Sequence, residues 1–387
     1  MEKIFAVKPA YEVSINGKDV TADISAFVSS VEYSDKLEEE SDDVQLVIDD
    51  VAGLWQSDWY PQAGDVLTLK MGYSGMEMLD CGLFEIDEIE LTGQPDVMTV
   101  KAIAAGITKD IRTRKSRAFE KQTLQKIAQK IADDNGLKLT GDTSALGQIK
   151  LGRKTQSNES DLSFLANLAK KFGLIFSVRG EQLVFLNPYE FEKQEAIATF
   201  RRGDISKYSF KDKTSQVYAA ATVAKRDIKS NSVKKWSVQP NDDPTKKGTF
   251  VVGGRIEDES QAKAATEGSL NNNNKDKLSG SFSTDGNPLL VAGVSVEMRE
   301  FGAFSGKWIV KESRHSISES GYGTDVSLVK YIHPKEVEKN TGNVSGGDVD
   351  WKKALGYSGT QKGDDPVTGH RKGNIDPLTG LPMEGFM

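Results

Sequence analysis

The stretch Gln156–Leu186, QSNESDLSFLANLAKKFGLIFSVRGEQLVFL, decides how the rest of the chain is read. Ser160 or Asp161 can cap a helix, because a short polar side chain accepts a hydrogen bond from an orphan N–H of the first turn. Leu162, Leu165, Leu168, Ala169 and Phe172 then recur at three- and four-residue spacing, which makes one apolar stripe. Gly173 follows as a left-handed cap. Leu174, Phe176 and Val178 alternate like a strand, Arg179-Gly180-Glu181-Gln182 reads as a turn, and Leu183 to Leu186 returns as a second strand. The expectation is a helix pinned to its own hairpin, with Leu165 and Phe172 as anchors. Such a stripe is core rather than chemistry.

Just upstream the pattern recurs. Leu124, Ile127, Ala128 and Ile131 make a second amphipathic helix, closed by Asn135-Gly136 and followed by a strand at Leu137 to Leu139. Residues 111–200 are therefore expected to form an α/β region of two helix–glycine–strand units. The basic run Arg112 to Arg117 opens it and is expected to be a solvated loop.

On either side the chain reads as strands. Tyr11 to Ile15 alternates, and Asn16-Gly17 is a two-residue hairpin turn. Short strands follow at Val28 to Tyr33, Val44 to Ile48, Asp65 to Lys70, Gly82 to Asp87 and Asp96 to Lys101. The acidic run Asp35 to Asp43 lacks the spacing of a calcium loop and is expected to be solvated. Residues 201–333 then echo the first part. Gly203-Asp204-Ile205-Ser206 echoes Ala22 to Ser25, and Tyr208 to Lys213 echoes Val31 to Lys36. Ala292-Gly293 to Glu297 echoes Ala63-Gly64 to Thr68, Gly306 to Lys311 echoes Gly82 to Asp87, and Asp325 to Val329 echoes Asp96 to Val100. The fold expected is mainly β: two related small β-barrel domains, 1–110 and 201–335, flanking an α/β region, 111–200, with a flexible polar tail, 336–387. The second copy carries an insert, Val223 to Asn287, whose Lys-rich part and Asn271 to Asn274 are expected to be exposed loops.

Composition narrows the function. A net charge of -7 argues against a general nucleic-acid binder, and a single cysteine, Cys81, excludes an internal disulfide and a Cys-based zinc site. No apolar run has the length of a membrane helix. MEKIFAVKPA lacks the apolar region of a signal peptide, so assembly in a cytoplasm is expected. No catalytic, metal or cofactor constellation emerges. Ser74 is one residue short of a nucleophile elbow, Gly302 to Lys307 has the wrong spacing for a phosphate loop, and His315, His333 and His370 have no partner at ligand spacing. Trp55 and Trp59, a close pair, are expected to pack in the core.

The stretch from Gln156, with Asn158-Glu159-Ser160 ahead of Phe164-Leu165 and Leu168-Ala169, resembles a signature of the phage late control gene D family. Gly306-Lys307-Trp308 through His315 to Gly321-Tyr322-Gly323-Thr324 is similar to another family element, and Gly64-Asp65 to Lys101 to a third. The resemblance implies the structural hub of a contractile tail or tail-like particle: a homotrimer joining a sixfold tail tube to a threefold spike, without enzymatic activity, cofactor or stable nucleic-acid binding. The partners it implies are the spike, the tube or tube-initiator protein and baseplate wedges, with a tape measure protein as a further candidate. The location implied is the virion tail baseplate, assembled in the bacterial host cytoplasm. Structural or interface residues expected on this basis are Leu165, Phe172, Trp308, His315 and, in the tail, Trp351. A tail-associated peptidoglycan hydrolase and a host-carbohydrate adhesin are the alternatives.

Overall fold

The computed structural model describes residues 8–38, 41–105, 109–213, 217–227, 232–240, 248–253, 259–275, 277–331 and 334–343. The chain divides into two units, 1–223 with 236–339, and 224–235 with 340–387. Of the second, the strand segments 224–227, 232–235 and 340–343 are described. The fold is mainly β, with an α/β region between two β parts.

Alternation of apolar and polar residues generates the strands. In Val97–Ala104, Met98, Val100, Ala102 and Ala104 are buried and their neighbours half-buried, because successive side chains leave opposite faces of a pleated strand. The strands of both β parts join in one 13-stranded sheet. Within it the same spatial order occurs twice. In the first copy Pro9–Ile15, Val66–Tyr73, Leu79–Thr92, Val97–Ala104, Asp43–Asp49 and Val28–Lys36 are successive neighbours. In the second, Ala198–Arg201, Ser295–Arg299, Gly306–Ser318, Gly321–Val329, Leu278–Asp285 and Lys207–Asp212 follow the same path. The first strand of each set differs, pairing antiparallel in one copy and parallel in the other.

Hydrogen bonds repeat along with topology. Gly64 N–H donates to Ile86 O at 2.8 Å and Ile86 N–H to Asp65 O at 2.9 Å; Gly293 N–H donates to Val310 O at 2.8 Å and Val310 N–H to Val294 O at 2.9 Å. Both glycines are left-handed, φ +93° and +92°, a conformation that penalises any Cβ. A register shift follows each pair, between Ile86 and Glu88 and between Val310 and Glu312. The pairings also correct the last of the sequence echoes. Ile89 faces Val100 and its counterpart Ser313 faces Val326, so Val100 corresponds to Val326, not Val329. The expected alignment would have turned the strand's buried face outward, an error that alternating apolar residues do not reveal by themselves.

The two copies meet along one edge. Glu312 to Ser318 continues beyond its own copy and pairs antiparallel with Lys36 to Ser30. Each copy retains its own core: Val31, Leu46, Leu69, Phe84 and Val100 are in one, Phe200, Phe282, Val296, Trp308 and Val326 in the other.

In the middle region Arg114–Thr123, helix Leu124–Asp134 and strand Lys138–Gly141 form one unit; Lys150–Ser160, helix Asp161–Lys171 and strand Ile175–Arg179 form the next. Thr123 and Ser160 cap the two helices, each hydroxyl accepting from a backbone N–H three residues on. The long strands pair with each other, and Gln182–Leu186 joins the two short ones into a three-stranded sheet.

Several loop expectations are corrected here. Asn271 to Asn274 close a helix, Glu259–Asn274, whose small residues Ala262 and Ala265 with Leu270 pack into the α/β core. Ala221, Val223, Trp236, Val238 and Val252 join the same core, which therefore extends well beyond residue 200. The helix is hard to see in sequence because its contact face is built from alanine and glycine, which carry little hydropathy. Gly173 and Gly268 touch backbone to backbone: a Cβ on Gly268 would lie 2.3 Å from Gly173 N. The basic run is largely strand, not solvated loop, and the acidic run contributes the buried Asp35. Trp55 is in the core as expected, whereas Trp59 is 43% exposed, packed edge-on to Trp55 at 5.7 Å. Strand Pro334–Asn343 runs into the segment expected as a tail. Residues 344–387, with Trp351, lie outside those described, as do His333 and much of the Lys-rich insert.

Candidate functional site

The seam where the second copy's Glu312–Ser318 meets the first copy's Ser30–Lys36 concentrates the polar burial of the β parts. Hairpin geometry places Thr324 opposite His315, and the seam places Tyr33 opposite its other side. His315 is fully buried. Its Nε2 lies 3.0 Å from Leu290 O, a group that only accepts, so Nε2 carries the proton. Nδ1 then accepts from the Tyr322 hydroxyl at 2.8 Å, with Thr324 Oγ1 at 3.3 Å. Tyr33 stacks on the imidazole, ring centres 6.1 Å apart. Burial lowers the His315 pKa to about 4, only partly offset by the bond to Leu290 O, so the ring is neutral near pH 7.

Beside it lies a carboxylate pair. Asp35 accepts from Ala292 N–H at 2.7 Å and pairs with Arg179 at 3.2 Å. Burial raises Asp35 against the opposing pull of Arg179. Asp42, bonded to Lys36 N–H at 2.9 Å, is raised to about 7 by burial first and then by the charge of Asp35. On the other face of the seam Arg314 bonds Glu32 through both Nε, at 3.1 Å, and Nη2. The network cross-links the two copies and ties Arg179 of the α/β region to them. Its histidine is sealed from solvent, with one ring nitrogen held by Leu290 O and the other by the Tyr322 hydroxyl.

A second buried charge lies in the α/β region. Asp161 is fully buried and receives Lys115 Nζ at 2.7 Å, Arg117 Nη2, Gln156 Nε2 at 2.8 Å and Asn135 Nδ2 at 3.2 Å. Burial pushes its carboxyl up, but the bonds from Lys115, Gln156 and Asn135 and the charge of Arg117 outweigh it and hold it below the usual range. The basic cluster thus serves this carboxylate.

The residues expected as interface candidates are dispersed. Leu165 and Phe172 belong to the α/β core, where the helix Asp161–Lys171 contacts helix Glu259–Asn274 as well as its own hairpin. Trp308 is 1% exposed in the second β core, its indole N–H bonded to Phe304 O at 2.8 Å. His315 alone is at the seam. Tyr33, Asp35 and Arg179 were not singled out from sequence, since only the seam brings them together; Tyr322 and Thr324 stood in a quoted motif, and hairpin pairing explains their spacing from His315. A polar hollow of about 420 Å³ lies over the second copy, lined by Lys207, Ser209, Arg314 and Asp325 among others, with no histidine or cysteine.

Known proteins share this fold. The 43 kDa tail protein of prophage MuSo2 from Shewanella oneidensis matches with a TM-score of 0.62 at 14% identity, covering 84% of this chain and 98% of that one. A tail protein from Neisseria meningitidis gives 0.61 at 12% identity, covering 84% and 96%. In sequence, the probable baseplate hub protein of Escherichia phage 186 is 32% identical over 182 residues, 47% of this chain and 46% of that protein. Its counterpart in Escherichia phage P2 is 33% identical over 178 residues, 46% and 45%. The chain spans about half the length of these curated relatives. The profile of the family described as phage tail baseplate hub (GPD) matches residues 98–321, which includes residues 111–200 and the strand that carries His315, and the chain belongs to that family.

Proposed function

We propose that the protein is a structural hub of a contractile tail baseplate, a homotrimer adapting a sixfold tail tube to a threefold spike. One observation carries the reading: each chain holds the same strand order twice, joined in one sheet. Three such chains around an axis present six near-equivalent surfaces while the molecule keeps threefold symmetry. The α/β region occurs once per chain and so supplies the threefold features. On this reading the spike binds the threefold side, the tube or tube initiator the sixfold side, and wedge proteins the periphery; the protein is a tail component without catalytic activity. Trp351 is a docking anchor for one of these partners. The test is the mass of the full chain by sedimentation equilibrium or native mass spectrometry, alone and with its spike. A trimer is expected; a species that stays monomeric or dimeric with its spike overturns the adaptor reading. Release of muropeptides from purified peptidoglycan would instead favour a wall hydrolase.

A further inference from the structure

The connection between strands Val28–Lys36 and Asp43–Asp49 is where the three parts of the chain meet. Leu37 packs with Ile175 and Phe191 of the α/β region and with Ala292, Ile309 and Val329 of the second copy. Glu38 accepts from the Tyr331 hydroxyl at 2.7 Å and pairs with Lys275 at 3.1 Å. Asp42 closes the connection: its side chain accepts from Lys36 N–H and its carbonyl from Ala104 N–H, each at 2.9 Å. Against it lies Asp35, 2% exposed, and the two carboxyl groups share a hydrogen bond. Two ionised carboxylates have no proton to donate, so one of the pair is protonated. Asp35 already accepts from Arg179 and from Ala292 N–H, donors that favour its ionised form, and the proton therefore sits on Asp42. We propose that this proton works a latch: while Asp42 holds it, one carboxyl pair clamps the α/β region and the second copy to the first copy, and when it leaves, two carboxylates face each other and the connection opens. The latch does not depend on the hub reading.

The groups around the pair leave it as the element that titrates near neutrality. Arg179, from the α/β region, is the cation facing it and stays charged. Tyr33, on the first copy's seam strand, and Cys81, on strand Leu79–Thr92, also feel both carboxyls, and burial keeps hydroxyl and thiol protonated far above neutral pH. Asp43, on the following strand, is paired with Lys36 Nζ at 2.9 Å. The second copy contributes only backbone, Ala292 N–H to Asp35 and Lys311 O to Leu37 N–H at 3.0 Å. In the closed latch Asp42 titrates at about 7, raised by burial first and then by Asp35, against 3.8 once it is released to solvent. Between those values the closed form binds a proton that the open form does not. Closing therefore gains about tenfold per pH unit as pH falls below 7, and its pH dependence vanishes above 7.

The test is amide hydrogen exchange on the full-length protein, corrected for the intrinsic rate at each pH, read at Lys36 and Ala292. Their N–H groups are held by Asp42 and Asp35 respectively. Protection at both should rise about 100-fold between pH 7 and pH 5 and level off above 7. Asp42→Asn keeps an acceptor for Lys36 N–H and gives Asp35 a permanent donor, so in that variant protection should be high at pH 7.5 and lose most of its pH dependence. Exchange through global unfolding would move the other way, because the buried His315 makes the fold less stable in acid. Protection that stays flat or falls from pH 7 to 5 in the parent overturns the latch, as does an equal rise in the variant. A second measurement does not need the variant. The infrared difference spectrum of the parent between pH 6 and pH 8.5 should show the loss of a protonated-carboxyl band, in a range where ordinary carboxyls are already ionised. Absence of that band overturns the proposal.

Discussion

Replacing His315 with glutamine should change stability in a pH-dependent way whose size follows from burial. The imidazole has a folded pKa of about 4 against an ordinary value of 6.5. Between those values the unfolded chain binds a proton that the folded chain refuses, so folding stability falls as pH drops. With each pKa unit near 1.4 kcal/mol, the loss reaches about 3 kcal/mol by pH 4. Above pH 6.5 the ring is neutral in both states, and its bonds to Tyr322 and Leu290 contribute in full. His315→Gln leaves those groups poorly matched, at a cost of about 1–3 kcal/mol at pH 7.5. Glutamine does not titrate, so the deficit of the variant should shrink on acidification and reverse near pH 4. Urea unfolding of both proteins from pH 4 to 7.5, followed by circular dichroism, measures this. Taking the difference removes groups common to both. Asp42 is one, and its raised pKa works in the opposite direction, favouring the folded state at low pH. A difference that stays constant over the range would show that folding leaves the His315 pKa unshifted, as for a solvated ring, and a deficit that grows on acidification would show a ring charged in the folded state; either would refute the seam as drawn.

Three further expectations follow from the packing. Gly268→Ala would stabilise an isolated helix, yet here it should destabilise by about 1–3 kcal/mol because the new Cβ meets Gly173, and a raised melting temperature would contradict that contact. Phe172→Ala should cost about 3–5 kcal/mol in the α/β core, whereas an unchanged melting temperature would place the side chain in solvent. Asp161→Ala should cost about 3 kcal/mol at neutral pH by leaving Lys115 and Arg117 facing each other. The contribution of Asp161 is present above the ordinary carboxylate pKa and disappears as pH falls through its depressed folded value, so the variant and parent should converge in strong acid; a deficit that persists there would assign the loss to packing alone.

Local order was legible in the sequence wherever one residue's neighbours along the chain decide its conformation. The caps at Ser160 and Gly173, the turn at Asn16-Gly17 and the stripe from Leu162 to Phe172 all read correctly, because caps, turns and apolar periodicity act over a few residues. The duplication was legible too, through the Gly64 and Gly293 turns, since a left-handed backbone position constrains residue type directly. Register was not: residues of either face satisfy a generic strand pattern, and only the pairing of Ser313 with Val326 assigned Val100 its true counterpart. Charged runs misled for a related reason. Asp35, Lys115 and Arg117 look like solvated surface until their partners arrive from distant sequence, Arg179 and Ala292 for the first and Asp161 for the others. The helix Glu259–Asn274 escaped because its alanines and glycine contribute close approach, which hydropathy does not register. The His315 seam belongs wholly to tertiary structure: the chain must bring residues 30–36 and 312–318 together before tyrosine, histidine and carboxylate lose their water and become one buried network.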